Sequence, residues 1–157
     1  MKPANFSRRT VLSQLGATIL VPTALIGQTG ASQASSLQSE AARYLNAYRA
    51  KAGLAPLSPE SHLVRAATAQ CAIMIAHGKI GHAFGPGTAF SERMFRAGVA
   101  PGYHAENVAR GQRRVAEVMQ AWMNSSGHRR NMLDPQMTSF GIASKSGYWA
   151  LDLAGPV

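Results

Sequence analysis

The chain has 157 residues, of which 46% are hydrophobic and 15% charged, with 16 lysines and arginines against 7 acidic residues. This length fits one domain, and the apolar fraction is too high for an intrinsically disordered chain. The single cysteine excludes an intramolecular disulfide as a support of the fold. The formal net charge of +9 is compatible with nucleic-acid binding, but part of it lies in a segment that has the pattern of a targeting signal.

Residues 1–34 have the pattern of an export signal. Arg8 and Arg9 precede a moderately apolar run over residues 11–26, and small residues follow over residues 31–34. The arginine pair and its neighbours resemble a twin-arginine signal. The segment holds three of the positive charges and no acidic residue, which leaves a formal charge of +6 on the rest. We therefore expect an exported protein, in the periplasm or outside the cell, where wall polymers and lipid head groups are the nearest polyanions.

Two other interpretations of the N-terminus are a membrane anchor and a buried helix. Pro22 and several polar residues interrupt the run, and no later segment has the roughly 20 apolar residues that a membrane span requires. The predicted organisation is a signal over residues 1–34, a linker over 35–38 and one domain over 39–157. We expect this domain to be monomeric and without a membrane span.

The domain is predicted to alternate helices with loops. Ser39 is expected to cap a first helix that ends before Gly53. Residues 58–60, a serine, a proline and a glutamate, carry three start signals for a second and longer helix. That helix is expected to end near His77, with Gly78 just beyond it.

After a glycine- and proline-rich loop over residues 78–88, the pattern predicts three further helical segments and a hairpin. The helical segments are residues 91–97, residues 115–123 and a last turn over residues 128–133. Two short runs rich in aromatic and β-branched residues, 139–144 and 148–153, flank Lys145-Ser146-Gly147 and predict a β-hairpin.

Three polar spots can carry chemistry, around His82, Glu106 and His128. Their separation along the chain excludes a motif on one helix, so the fold must bring them together. Two imidazoles and one carboxylate can hold a divalent ion such as zinc, or exchange protons near neutral pH. Taken alone the signal is weak, because a chain with five histidines offers several such triples.

The order of the segments resembles a known family, the bacterial CAP domain, also called the SCP domain. The family is named after cysteine-rich secretory proteins, antigen 5 and plant pathogenesis-related proteins. The resemblance covers nearly the whole predicted domain, and its most specific part is the block from Trp122 to Leu133. The segments that carry it are LNAYR at 45–49, Gly81-His82, AENVA at 105–109, WMNSSGHRRNML at 122–133, FGI at 140–142 and Tyr148-Trp149.

The resemblance implies an α+β fold, a three-layer α-β-α sandwich with a small central antiparallel sheet. It also implies a cleft lined by His82, Glu106 and His128, as catalytic residues or as ligands of a divalent metal such as zinc. The implied function is an exported binding module for a metal or for a small-molecule, lipid or cell-envelope ligand. A second glutamate found in animal and plant members is replaced here by Asn124 and Ser125.

Three alternatives to a binding module remain at this point. The first is a cell-envelope hydrolase that uses a histidine as general base or a metal-activated water, with Glu106 assisting. The second is a thiol protease using Cys71, which the apolar stripe around that residue disfavours. The third is nucleic-acid binding, which rests on charge alone and is opposed by the export signal. No serine-hydrolase elbow or zincin helix motif is present in the sequence.

Overall fold

The computed structural model describes residues 26–156. The predicted twin-arginine motif lies outside the described residues, and residues 26–34 form the first part of helix α1. None of the described helices is long and apolar enough to cross a membrane. In chain order the elements are α1 (Ile26–Lys51), β1 (Ser58–Pro59), α2 (Ser61–His77), α3 (Phe90–Ala97), β2 (Tyr103–Arg110), α4 (Val115–Asn124), α5 (Ser126–Met132), β3 (Ser139–Lys145) and β4 (Tyr148–Gly155).

The sheet has the strand order β1-β3-β4-β2. Strands β3 and β4 form the predicted hairpin, and β2 pairs antiparallel with β4. The hairpin turn has positive φ at Ser146 (51°) and Gly147 (77°), as a two-residue turn matched to the strand twist requires. The sheet is mixed, not fully antiparallel as expected, because the two-residue β1 runs parallel to the start of β3.

Helices cover both faces of this sheet. One core cluster joins α1 and α4 to the side chains of Phe140, Ile142 and Leu151, and a second joins α2 to Ala143 and Ala150. Neighbouring residues of a strand point to opposite faces, so the two clusters alternate along β3 and β4. All eight residues of β4 are buried. The predicted α-β-α sandwich is therefore confirmed.

Two predicted helix starts were wrong. Ser39 lies inside α1, where its hydroxyl donates to the carbonyl of Ser35 at 2.9 Å, because nothing between residues 31 and 39 stops a helix. Ser58 belongs to β1, and Glu60 is the true cap of α2. The Glu60 carboxylate accepts from the backbone N–H groups of His62 and Leu63 at 2.9 and 3.0 Å.

The other helical predictions are confirmed to within a few residues, and α2 ends at His77 with Gly78 in the left-handed conformation (φ 66°). Strand β2 was not predicted as a strand. Its middle residues Glu106 and Asn107 are polar yet buried, which hides the apolar pattern that indicates a strand.

Arg49, near the end of α1, holds the loop that follows α1 and the segment at the end of α5 through hydrogen bonds to their backbone. Its buried guanidinium donates to the backbone carbonyls of Ala55, Met132 and Asp134 at 2.8, 3.0 and 2.9 Å. One side chain of α1 thus holds two separate loops, and it positions the short helix on which His128 lies.

The backbone of helix α2 packs directly against the sheet at Gly141 of β3. A Cβ atom at Gly141 would lie 2.2 Å from the Val64 nitrogen and 2.3 Å from the Leu63 carbonyl carbon. Both are backbone atoms, so neither can rotate away. Only a residue without a side chain fits at this position.

We predict that Gly141→Ala lowers the free energy of unfolding by about 1–3 kcal/mol or more, because it pushes α2 off the sheet. Gly127→Ala is the matched control, since a Cβ at Gly127 meets nothing within 4 Å. That control should raise stability by roughly 0.5–1 kcal/mol, as alanine replaces glycine in a helix. Urea denaturation measures both variants, and equal stability of the two would contradict the close packing.

Candidate functional site

The candidate site is built around Glu106, on β2. Its side chain is 2% exposed, and Asn107 beside it is fully buried. His82 lies on the loop between α2 and α3, and His128 lies on α5. The site therefore draws on a strand, a helix and a loop that are far apart in sequence.

His82 is hydrogen-bonded to Glu106 at 2.8 Å, between Nδ1 and Oε1. Because a carboxylate only accepts, Nδ1 carries the hydrogen and the Nε2 edge is left for other partners. The His82 side chain is 56% exposed, so this edge is open to solvent. The hydrogen bond to Glu106 raises the pKa of His82, against the opposing effect of partial burial.

Arg93, on α3, occupies the second oxygen of Glu106. Its Nη2 donates to Oε2 of Glu106, and the two side chains are 1% and 2% exposed. Its Nη1 donates to the carbonyls of His82 at 2.8 Å and Thr88 at 2.6 Å. Arg93 thus forms a buried ion pair with Glu106 and ties the loop that carries His82 to the same carboxylate.

The loop is also held from its other side. Phe84 stacks on His77, with ring centroids 4.6 Å apart and an interplanar angle of 9°. Gln70, buried in α2, donates through Nε2 to the carbonyl of Gly81. The backbone N–H of Phe84 donates to the Thr88 hydroxyl at 2.7 Å. These contacts fix the loop immediately before and after His82.

Asp152, on β4, is directly opposite Glu106 in the strand ladder. It is fully buried, and neither carboxyl oxygen has a donor partner among the described residues. Burial, and then the charge of Glu106, raise the pKa of Asp152 well above its ordinary value, while Arg93 acts in the opposite direction. The neutral form of the Asp152 carboxyl is therefore favoured in the folded chain relative to an exposed aspartate.

His128 is joined to this group through two asparagines. Asn107 Nδ2 donates to the His128 carbonyl at 3.1 Å, and Asn131 Nδ2 donates to Asn107 Oδ1 at 2.8 Å. Desolvation, and then the positive charge on His82, lower the pKa of His128. The charge of His82 thus acts on His128, and the pKa values of the two rings move in opposite directions.

Two other residues considered from sequence are engaged elsewhere. Burial raises the pKa of Cys71 to about 12, so its thiol is a poor nucleophile and the thiol-protease interpretation has no support. The ring of His104 is hydrogen-bonded through Nε2 to the carbonyl of Ala100 at 3.0 Å.

The arrangement does not fit a metal site. Both oxygens of Glu106 are occupied, and the guanidinium of Arg93 lies against the carboxylate, where it repels a second cation. Within residues 26–156, no group of three or more His, Cys, Asp or Glu side chains is placed to hold a metal ion. The expectation of zinc on His82, Glu106 and His128 stays a prediction.

A family model matches residues 42–149, that of CAP, the cysteine-rich secretory protein family. The chain belongs to the CAP family. It is 33% identical over 111 residues to the uncharacterized protein YkwD of Bacillus subtilis, an alignment that covers 71% of this chain and 43% of that protein. The chain therefore spans less than half the length of this relative.

Solved structures share the CAP fold at 20–21% identity. An extracellular SCP-domain protein of Bacillus anthracis has a TM-score of 0.75, over 83% of this chain and 44% of that chain. A cysteine-rich secretory protein of Staphylococcus aureus has a TM-score of 0.66, over 78% of this chain and 39% of that chain. An outer surface protein of Borrelia burgdorferi has a TM-score of 0.65, over 78% of this chain and 92% of that chain.

Sequence reasoning missed four residues of this CAP site: Arg93, Asn107, Asn131 and Asp152. The signal for Asp152 was present, because a lone carboxyl between Leu151 and Leu153 interrupts an otherwise apolar strand. Arg93 gave no such signal, since an arginine in a short polar helix is usually solvated.

We predict that Asp152→Asn changes the pH dependence of stability. Wild-type Asp152 stays protonated in the folded chain above the ~3.9 of an exposed aspartate, so unfolding releases a proton and stability falls as the pH rises through that range. Asparagine has nearly the same size and does not ionise. The stability of the variant relative to wild type should therefore rise from about pH 4 to about pH 8.

Thermal unfolding over that pH range measures the difference. Asp134→Asn serves as the control for removing an aspartate, because Asp134 is only partly buried. A difference between Asp152→Asn and wild type that does not change with pH would contradict a proton held on Asp152.

Proposed function

We propose that this CAP domain is an exported binding module whose polar cleft holds a small ligand through His82 and His128. The observation that carries the proposal is the double engagement of Glu106, by His82 at 2.8 Å and by Arg93. A carboxylate used in this way orients an imidazole and is not available to attack a substrate. The groups left for a ligand are the open edge of His82 and the partly buried ring of His128.

The two imidazoles offer complementary chemistry. His82 takes up a proton more readily than a free imidazole and then presents an N–H donor, whereas the neutral ring of His128 supplies an acceptor as well as a donor. Such a pair suits a ligand with both kinds of polar group. Sugars, peptides and lipid head groups of the cell envelope have this character.

Export is supported by the predicted signal over residues 1–34 and by the nature of similar proteins. Two of the similar structures are an extracellular protein and an outer surface protein. The proposed location is the periplasm or the cell exterior, and the proposed route is the twin-arginine pathway.

A hydrolase is the second candidate, and one observation favours it. A histidine whose Nδ1 is held by a buried carboxylate, with Nε2 open, has the geometry of an oriented general base. Against it, no hydroxyl or thiol of the described residues is hydrogen-bonded to the ring of His82 or His128. The hydrolase would have to activate water directly.

The proposal predicts that a cell-envelope probe shifts the NMR signals of both cleft histidines. The probes are soluble peptidoglycan fragments and phosphatidylglycerol vesicles. Binding of at least one should be lost in His82→Ala and kept in His62→Ala, because the ring of His62 is bonded instead to the carbonyl of Ala97, at 2.9 Å. If no probe perturbs either ring, the binding-module proposal is wrong.

Two further measurements on this protein distinguish the binding module from a hydrolase and from a metal site. Turnover of ester, peptide or glycan substrates that disappears in Glu106→Gln, with the fold retained, would replace the binding module by the hydrolase. Zinc is a separate prediction, and heats of zinc binding that are identical in wild type and in a His82→Ala/His128→Ala variant would contradict it.

A further inference from the structure

Asn131, on α5, is tied to the strand that carries Glu106. It lies three residues after His128, so the two side chains are neighbours on one face of the helix. Its Nδ2 donates to Oδ1 of Asn107 at 2.8 Å and to the backbone carbonyl of Glu106 at 3.4 Å. His82 is hydrogen-bonded to the side chain of the same Glu106. One residue of β2 therefore holds Asn131 through its backbone and His82 through its carboxylate.

Two backbone carbonyls fix the orientation of the asparagine amides. The carbonyl of His128 only accepts, so Nδ2 of Asn107 is its donor, at 3.1 Å, and Oδ1 of Asn107 is left as an acceptor. The group of Asn131 that bonds to this oxygen must then be Nδ2, and the carbonyl of Glu106 requires the same orientation. The Asn131 amide thus bonds to the strand through its nitrogen and leaves Oδ1 as an acceptor of fixed orientation.

The protein supplies no donor for this oxygen. Among residues 26–156 nothing donates to Oδ1 of Asn131, and the atom is not enclosed, because it is not one of the buried polar atoms that lack a partner. The ring of His128 likewise has no hydrogen-bond partner among the described residues. Asn107, in contrast, is fully buried, which is costly for an amide unless its hydrogen bonds are made. A buried polar residue therefore orients a group whose partner lies outside the protein.

A fixed acceptor selects a ligand that brings a hydrogen-bond donor. A carboxylate has none, and an ammonium group brings a positive charge that the charged form of His82 repels. A hydroxyl turns to suit either kind of partner and does not need an acceptor of fixed orientation. A secondary amide has an N–H on one edge and a carbonyl on the other. The open Nε2 edge of His82 donates to such a carbonyl when the ring is charged, and the hydrogen bond to Glu106 favours that form by raising the pKa.

We propose that Asn131 is a ligand-contact residue and that the cleft binds a secondary amide, whose N–H donates to Oδ1 of Asn131 and whose carbonyl accepts from His82. This inference rests on the proposed binding module and narrows its ligand. A peptide bond and the N-acetyl group of an amino sugar share this chemistry, and both occur outside the cytoplasm as parts of cell-wall polymers.

Calorimetric titration of the wild type with two pairs of probes tests the amide. The peptide pair is a trialanine peptide and its analogue with ester oxygens in place of the internal N–H groups. The sugar pair is N,N′-diacetylchitobiose and cellobiose, which lacks the N-acetyl groups. The amide member of one pair should bind about tenfold more tightly than its partner, because the partner offers Asn131 no amide donor. The pair that shows this difference identifies the source of the amide.

A variant locates the contact. Asn131→Ala should weaken the amide probe about threefold to tenfold, the effect of one neutral hydrogen bond, and leave binding of the ester or hydroxyl probe unchanged. A merely structural role would weaken both probes alike. Gln120→Ala is the matched control and should alter neither, because it removes an exposed amide of α4 that bonds to Tyr48 and Asn124.

Two results would overturn the inference. They are equal affinity of the wild type for both members of each pair, which is measured without any variant, and equal weakening of both members by Asn131→Ala. Failure of the proposed function gives a different result. If the envelope probes shift the histidine signals and no amide probe binds, the binding module stands and the amide is wrong. If no probe of either kind perturbs the cleft histidines, the binding module itself is wrong.

Discussion

The buried ion pair between Arg93 and Glu106 is the interaction on which the functional face of this domain depends. A carboxylate in the interior of a sheet is costly unless its charge is balanced, and Arg93 balances it from the helix above. The same guanidinium donates to two carbonyls of the loop between α2 and α3, so the loop cannot leave without uncovering the charge. The position of His82 is therefore a consequence of electrostatics in the core.

The pair also determines the chemistry that the cleft can offer. Both carboxylate oxygens of Glu106 are occupied, and the one bonded to His82 orients that ring and raises its pKa. Asp152 lies opposite, and its burial, followed by the charge of Glu106, raises its pKa, although Arg93 acts in the opposite direction.

Much of the fold was predictable because its elements have local signals. Gly78 and Gly98 mark helix ends, and Ser146-Gly147 marks the hairpin, through backbone conformations that few other residues adopt. The motif order predicted His82, Glu106 and His128 as neighbours of a cleft. Arg93 and Asp152 were not predicted, because their importance comes from a cross-strand and a helix-to-strand contact that no local pattern encodes. Strand β2 was missed for the same reason, since its polar residues are buried by that pairing.

A double-mutant cycle on Arg93 and Glu106 tests this account most directly. Arg93→Met should lower the free energy of unfolding by about 3–5 kcal/mol, because it leaves the buried carboxylate unpaired. In the Arg93→Met/Glu106→Gln variant no charge is left unpaired, so the double variant should be more stable than Arg93→Met alone, with a large coupling energy. Additive effects of the two substitutions would contradict the central role of the pair.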